Sequence, residues 1–220
     1  TTNGAAAIFY LDGNHLLSYS NGQYIGLNSS DWTFESVGSN DISEITFTAI
    51  ANAGVYNIKS ADRWLHSSDT YLNRCSNNTC GAAHNWVVTE VTALPVTIGS
   101  VGYSTFYAPV AVAIPDGVTA YRAVINGEYI DLHAFEGTIP AGQAVILQGT
   151  ANTYNFTITA DVEFTGENHL LGTTKKIATS SVSNPYTLQT DSNAATGVVM
   201  RRYTGENING FKMYMSISDA

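Results

Sequence analysis

The sequence predicts an all-β protein, and three features of its pattern favour that class. Short apolar runs bounded by Gly and Pro occupy 105–114 and 143–149, and apolar and polar residues alternate over 153–164. Asn126-Gly127 separates two further alternating stretches, and both residues accept the positive φ that a type I′ hairpin turn requires. No stretch keeps an apolar period of 3.6 residues over three turns, which leaves room only for a short helix near 174–180.

The end of the chain predicts a second hairpin, and its middle predicts a domain boundary. The apolar stretches 197–203 and 210–217 flank a polar loop, as the two strands of a hairpin would. The chain is rich in Asn, Ser, Trp and Tyr before Leu94-Pro95 and contains no Trp after it. Because Pro favours extended backbone in the residue before it, this dipeptide suits a linker. We therefore predict two domains, 1–94 and 95–220.

Composition and charge narrow the range of partners. Charged residues make up only 12% of the chain, so Ser, Thr, Asn and Gly supply the polar surface, as is typical of secreted all-β modules. Nine basic against eighteen acidic residues give a net charge of −9, which argues against a nucleic-acid partner. No apolar run is long enough to cross a bilayer, so no membrane span is expected. The first residues lack a signal-peptide pattern, and we expect a secreted or cell-surface protein whose signal has been removed.

Two cysteines lie close together in the first domain. Cys75 and Cys80 enclose a polar loop whose ends could meet across a hairpin, so a local disulfide is the favoured interpretation and would indicate an oxidising compartment. Free thiols are the next alternative. A metal pair with His66 and His84 is the third, but a structural zinc site requires a second compact ligand pair, so no metal is expected.

A degenerate internal repeat occupies the first domain. The stretches 21–37 and 61–91 both run from a polar turn through an aromatic-aliphatic pair and a Ser/Asn-rich loop to a tryptophan that opens an alternating strand. These tryptophans, Trp32 and Trp86, lie one supersecondary unit apart. Because a large indole most often supplies core area, we expect both to pack in the core.

This order of features resembles the ricin-B-like β-trefoil over about residues 15–93. The family's Gln-x-Trp motif corresponds to Ser30-Asp31-Trp32 and His84-Asn85-Trp86. The resemblance implies a trefoil-like or small-barrel unit with lectin-like sugar binding. Gly26 and His66 stand where the family has its sugar-binding aspartate, so that residue's role does not transfer. Two repeats are found where a trefoil has three.

The loop around Trp64 is the predicted ligand site. Trp64 and Tyr71 lie among polar side chains, and an aromatic face rimmed by hydrogen-bonding groups suits a pyranose ring. The alternative is that Trp64 belongs to the core and its neighbours form an exposed loop. The predicted ligand-binding residues are Asp62, Trp64, His66, Asp69, Tyr71 and Asn73.

The second domain resembles another family over about 102–150, and more weakly to 215. Its motifs read Tyr-x-Thr-x-Tyr-x-Pro, Ile-Pro-x-Gly-Val-x-Ala-Tyr and Ile-Pro-Ala-x-x-Ala-Val-Ile-Leu. They are similar to β-sandwich-like modules near the C-termini of secreted and surface proteins of gut anaerobic bacteria. The resemblance implies an exported, non-catalytic accessory module with a β-sandwich-like fold.

No sequence motif argues for an enzyme or for a cofactor. The chain contains no Gly-x-Ser-x-Gly, no His-Glu-x-x-His and no phosphate-binding glycine loop. Carboxylate pairs such as Asp62 with Asp69 or Glu35 with Glu44 are explained more simply as solvated charges than as a glycosidase pair. The predicted function is non-catalytic binding of a glycan or of a host or cell-surface ligand. The alternative is a structural spacer or protein-protein interaction module of a larger surface protein, and the oligomeric state is left open.

Overall fold

The structure confirms the all-β class. This computed structural model describes residues 7–27, 32–35, 39, 41–50, 53–67, 72–76, 85–127 and 129–217. Within these residues, helical structure is limited to one 3-10 turn, Thr179–Ser181, which overlaps the end of the stretch 174–180 that the sequence allows to be a short helix. No helix in this part of the chain is long and apolar enough to span a membrane. The chain divides into two compact units, 1–91 and 92–220.

The described residues of the first unit form two antiparallel sheets. One is a meander of four strands in sequence order: β1 (Phe9–Asp12), β2 (His15–Ser18), β3 (Tyr24–Leu27) and β4 (Trp32–Glu35). The other has the order β5-β6-β7-β8, and β9 also pairs with β6: β5 (Thr46–Ala49), β6 (Val55–Ser60), β7 (Arg63–Ser67), β8 (Leu72–Ser76) and β9 (Asn85–Val87). Neither sheet closes into a barrel within the described residues.

Both sheets contribute side chains to the core of the first unit. Its buried members are Leu16, Ile25, Trp32, Ile45, Ile58 and Leu65. Trp86 is partly buried and packs against this cluster, and Trp32 is only 4% exposed. The prediction that these two indoles supply core area is therefore confirmed.

The described residues of the second unit form two four-stranded sheets, the first of which we call the central sheet, and three strand pairs. The central sheet has the order β11 (Tyr103–Tyr107), β16 (Ala144–Gly149), β13 (Val118–Asn126), β14 (Tyr129–Ala134). A second four-stranded group has the order β18 (Leu171–Thr173), β23 (Lys212–Ser216), β20 (Pro185–Thr190), β21 (Val198–Arg202). Three strand pairs complete the unit: β10 (Ala93–Ile98) with β17 (Asn152–Thr157), β12 (Val112–Ala113) with β15 (Thr138–Ile139), and β19 (Ile177–Ala178) with β22 (Asn207–Ile208).

Strand β16 is buried on both faces, which explains its uninterrupted apolar run. Ile146 packs with Met213 and Met215 of β23 on one face. On the other face, Val145 stands opposite Phe106 in register, and the Phe106 ring lies 5.2 Å from that of Phe156 on β17. The central sheet therefore carries packed side chains on both sides.

The structure corrects three sequence expectations in this unit. The predicted hairpin exists, but its turn is shifted by one residue from Asn126-Gly127. Asn126 is the last residue of β13 and pairs with Tyr129, and Gly127, with φ +60°, is the first loop residue. The predicted hairpin between 197–203 and 210–217 is wrong, because β20 lies between β21 and β23. Leu94-Pro95 lies inside β10, which pairs only with β17 among the described strands, and Pro is tolerated on such an edge strand.

Candidate functional site

A tight hairpin sets the position of Trp64. Ser60 pairs with Arg63 across the two-residue turn Ala61-Asp62, and the next pair along the ladder joins Lys59 to Trp64. Ala61 adopts φ +48°, which a two-residue hairpin turn of this kind requires. The Asp62 side chain is 78% exposed at the turn, and one carboxylate oxygen lies 3.6 Å from Nε of Arg63.

Alternation along β7 turns Trp64 away from the core. Leu65 is 4% exposed and belongs to the core of the unit. Because successive side chains of a strand point to opposite faces, Trp64 and His66 share the other face, and both are half-buried. Lys59 is on this face too, since it stands directly opposite Trp64. We call Lys59, Trp64 and His66, together with Asp62 at the adjoining turn, the Trp64 face.

Lys59 places a positive charge beside the indole. Its Nζ lies 5.3 Å from the centroid of the Trp64 ring, within the range of a cation–π interaction. At a partly exposed position such a contact contributes about 0.5–1 kcal/mol. It limits the orientations of the indole and puts an ammonium donor at the edge of the Trp64 face.

The two repeat tryptophans hold the strand that carries this face. Nε1 of Trp32 donates to the carbonyl oxygen of Trp64 at 3.2 Å, and Nε1 of Trp86 donates to that of Leu65 at 2.9 Å. The bonds reach consecutive carbonyls of β7. Both core indoles therefore support the backbone of the candidate site and do not form part of its surface.

The described part of the first repeat has no equivalent surface. The residue that aligns with Trp64 is Tyr24, which is 6% exposed and donates its hydroxyl to Asp12. The residue that aligns with His66 is Gly26, which is buried and forms an isolated bridge with Ile42. A side chain at Gly26 would overlap the carbonyl oxygen of Asp41. Of these two aligned aromatic residues, Tyr24 is therefore buried and Trp64 is partly exposed.

Several predicted residues lie outside the described part of the chain. These are Asp69, Tyr71, Cys80 and His84 in full, and Asn73 and Cys75 in their side chains. The backbone of β8 places Asn73 opposite His66 and Cys75 opposite Trp64. The disulfide therefore stays a prediction, as do the ligand contacts of Asp69, Tyr71 and Asn73. Among the described residues, no three His, Cys, Asp or Glu side chains are grouped as metal ligands.

Lys59 is the residue of this face that the sequence analysis missed. The sequence feature that could have identified Lys59 is the hairpin turn. Once a two-residue turn is placed at Ala61-Asp62, the register of the hairpin puts Lys59 opposite Trp64. Neither turn residue is Gly or Asn, so the turn was not recognised.

Comparison with known proteins finds no family model that matches the chain, and neither a curated protein nor a solved structure matches it significantly. The resemblances to trefoil and sandwich modules stay predictions. What the Trp64 face can do chemically follows from its own groups: an aromatic ring, an ammonium, an imidazole and a carboxylate.

Proposed function

We propose that the protein is a non-catalytic accessory module, secreted or displayed at a cell surface, and that it binds a glycan through the Trp64 face. The observation that supports this most is the exposure contrast between the repeats. Tyr24 is buried and hydrogen-bonded, whereas Trp64 stands on the outward face of its sheet beside Lys59 and His66.

The groups of the Trp64 face match the chemistry of a sugar ring. A pyranose presents an apolar C–H face and a rim of hydroxyls that both donate and accept hydrogen bonds. The indole offers a flat apolar surface, the Lys59 ammonium donates, the Asp62 carboxylate accepts, and the His66 imidazole can do either. The cation–π contact and the carbonyl bonds from Trp32 and Trp86 hold the face in one geometry, which lowers the entropy lost on binding.

The proposal extends to the architecture of the two units. We propose that the first unit is trefoil-like with two of the usual three repeats, supported by the parallel roles of Trp32 and Trp86. The second unit is proposed to be sandwich-like, supported by the burial of β16 on both faces.

The test is a glycan array probed with the whole chain and three variants. Trp64→Ala and Tyr71→Ala are expected to lose binding while their circular dichroism spectra stay unchanged. Tyr129→Ala removes an aromatic side chain that is 74% exposed in the second unit, and this control is expected to bind like wild type. Retained binding by Trp64→Ala would reject the site. Turnover of any bound glycan by the purified protein would reject the non-catalytic assignment.

A second candidate function is that of a module within a larger surface protein. In that role the chain would contact other proteins or modules, and the first unit or the whole chain would also serve as a structural spacer. One observation favours it: β14 is the outer strand of the central sheet and exposes Tyr129, Ile130 and Leu132. An edge strand with exposed apolar side chains can pair with an extended strand of a partner protein. Two results together would favour this function over the first. The glycan array would show no binding, and the chain would associate with a neighbouring module of its parent protein in a way that Leu132→Lys abolishes.

A further inference from the structure

A polar cavity of about 250 Å³ lies in the second unit, whereas the Trp64 face belongs to the first. It lies among β11, β20, β22 and the start of β23. Its polar lining consists of Thr105, Thr187, Tyr203, Asn207, Asn209 and Lys212. The volume is below that of a site for a drug-sized molecule, typically about 300–1,000 Å³, and suits one small ring with its substituents.

Lys212 is the charged group of this cavity. Its Nζ donates to the carbonyl oxygen of Thr105 at 3.3 Å, and it forms no ion pair with any described residue. The contrast with Arg201 is informative, because that guanidinium is paired with Asp191.

The surroundings of Lys212 also disfavour its charge. Desolvation by nearby protein atoms lowers the pKa of its ammonium, although the side chain remains accessible from solvent. An ammonium that has a single carbonyl acceptor gains from an anion placed beside it.

The other polar groups of the cavity are ready for a ligand with hydroxyls. Within the described residues, the side-chain amides of Asn207 and Asn209 and the hydroxyl of Thr105 make no hydrogen bond. The Tyr203 hydroxyl donates to the carbonyl oxygen of Asn207 at 3.0 Å, so its oxygen can still accept. The cavity therefore offers both donors and acceptors in addition to one cation.

We propose that this cavity binds a monocarboxylated sugar, with the carboxylate on Nζ of Lys212 and the ring hydroxyls on Asn207 and Asn209. A single cation neutralises a single negative charge, and the net charge of −9 disfavours a dianion such as phosphate. The mixture of amide and hydroxyl groups suits a sugar ring better than a bare carboxylate. The two sites share no residue, since this one belongs to the second unit and the Trp64 face to the first, and the proposal for each can fail without the other.

The experiment is a titration of the whole chain, by calorimetry and by ¹H-¹⁵N NMR, with methyl glucuronide as the probe. Methyl glucoside has the same ring without the charge, acetate has the charge without the ring, and inorganic phosphate offers a different anion. We expect methyl glucuronide to bind tightest and to shift the amide signals of Thr105, Asn207, Asn209 and Lys212.

Four variants separate the contributions. Lys212→Gln is expected to weaken methyl glucuronide about tenfold or more, because it removes a charge-assisted hydrogen bond. Asn209→Ala is expected to weaken methyl glucuronide but not acetate. Lys176→Gln removes a lysine that does not line the cavity and is expected to bind like wild type. Trp64→Ala is expected to bind methyl glucuronide unchanged, which distinguishes this site from the glycan site of the first unit.

Four results would overturn the assignment. Equal affinity for methyl glucoside or for phosphate would reject recognition of a monocarboxylate. Equal affinity for acetate would reject the sugar ring as part of the ligand. Undiminished binding by a folded Lys212→Gln variant would reject Lys212 as the anion contact, and absence of binding by the wild-type chain would reject the site.

Discussion

Replacing Trp32 with Phe tests whether the core indoles support the Trp64 face. Trp32 is 4% exposed, and its Nε1 donates to the carbonyl oxygen of Trp64. Phe keeps an aromatic ring in the core but removes that donor and leaves a gap where the larger ring was. Trp86→Phe is the matched variant, because Trp86 makes the same kind of bond to Leu65 from a more exposed position.

The magnitude follows from burial. The lost hydrogen bond costs about 1 kcal/mol, and the gap left by the smaller ring costs about a further 1–2 kcal/mol. The expected loss for Trp32→Phe is therefore about 2–3 kcal/mol in the free energy of unfolding of the first unit. For Trp86→Phe it is about 1 kcal/mol, mainly from the lost hydrogen bond, because the indole is only partly buried and the smaller ring leaves less of a gap.

Tryptophan fluorescence in urea measures this directly. All three tryptophans, at 32, 64 and 86, belong to the first unit, so the signal reports on that unit alone. With a urea dependence of about 1 kcal/mol per molar for a unit of this size, Trp32→Phe is expected to lower the midpoint by about 2–3 M. A midpoint within about 0.5 M of wild type, or a larger loss in Trp86→Phe than in Trp32→Phe, would refute the reasoning.

Three further outcomes are expected. Gly26→Ala should destabilise the first unit by about 3 kcal/mol in the same urea titration, because its new methyl group would meet the backbone of Asp41; a loss below about 1 kcal/mol contradicts this. Phe156→Ala should lower the stability of the second unit by about 3–5 kcal/mol, followed by far-ultraviolet circular dichroism, since the ring is fully buried against Phe106; a thermal midpoint equal to wild type argues against it. Burial raises the pKa of Tyr19 well above its ordinary value of about 10. The unfolded chain therefore ionises first, and the stability of the first unit should fall as pH rises above about 10, less steeply in Tyr19→Phe; equal slopes for the two proteins would exclude Tyr19 as the cause.

Local sequence pattern was sufficient for the fold class and for part of the candidate site. Alternation and turn residues predicted strands because side-chain direction repeats every two residues in any strand. The hairpin at Gly127 followed from the need for positive φ, although its register differed by one position. The core role of Trp32 followed from indole size, and the position of Trp64 at the surface was one of two alternatives that the pattern left open.

Local sequence patterns did not predict which strands pair when those strands are distant in the chain. The sequence neighbours β21 and β23 looked like a hairpin, but β20 pairs with both, and nothing local distinguishes the two arrangements. The polar cavity around Lys212 was likewise invisible, because Thr105 and Lys212 are brought together from opposite ends of the second unit.

The short-range requirements of backbone and side chain thus decided that this chain folds into strands and which indoles enter its core. The difference between its two repeats was decided only in three dimensions. Tyr24 and Trp64 occupy equivalent places in the chain, yet the backbone at Asp41 and Ile42 packs over Gly26 in the first repeat and leaves Tyr24 buried there. Whether an aromatic ring is buried or exposed depends on which remote segment packs beside it. That packing is set by the free energy of the whole fold and not by neighbours in sequence.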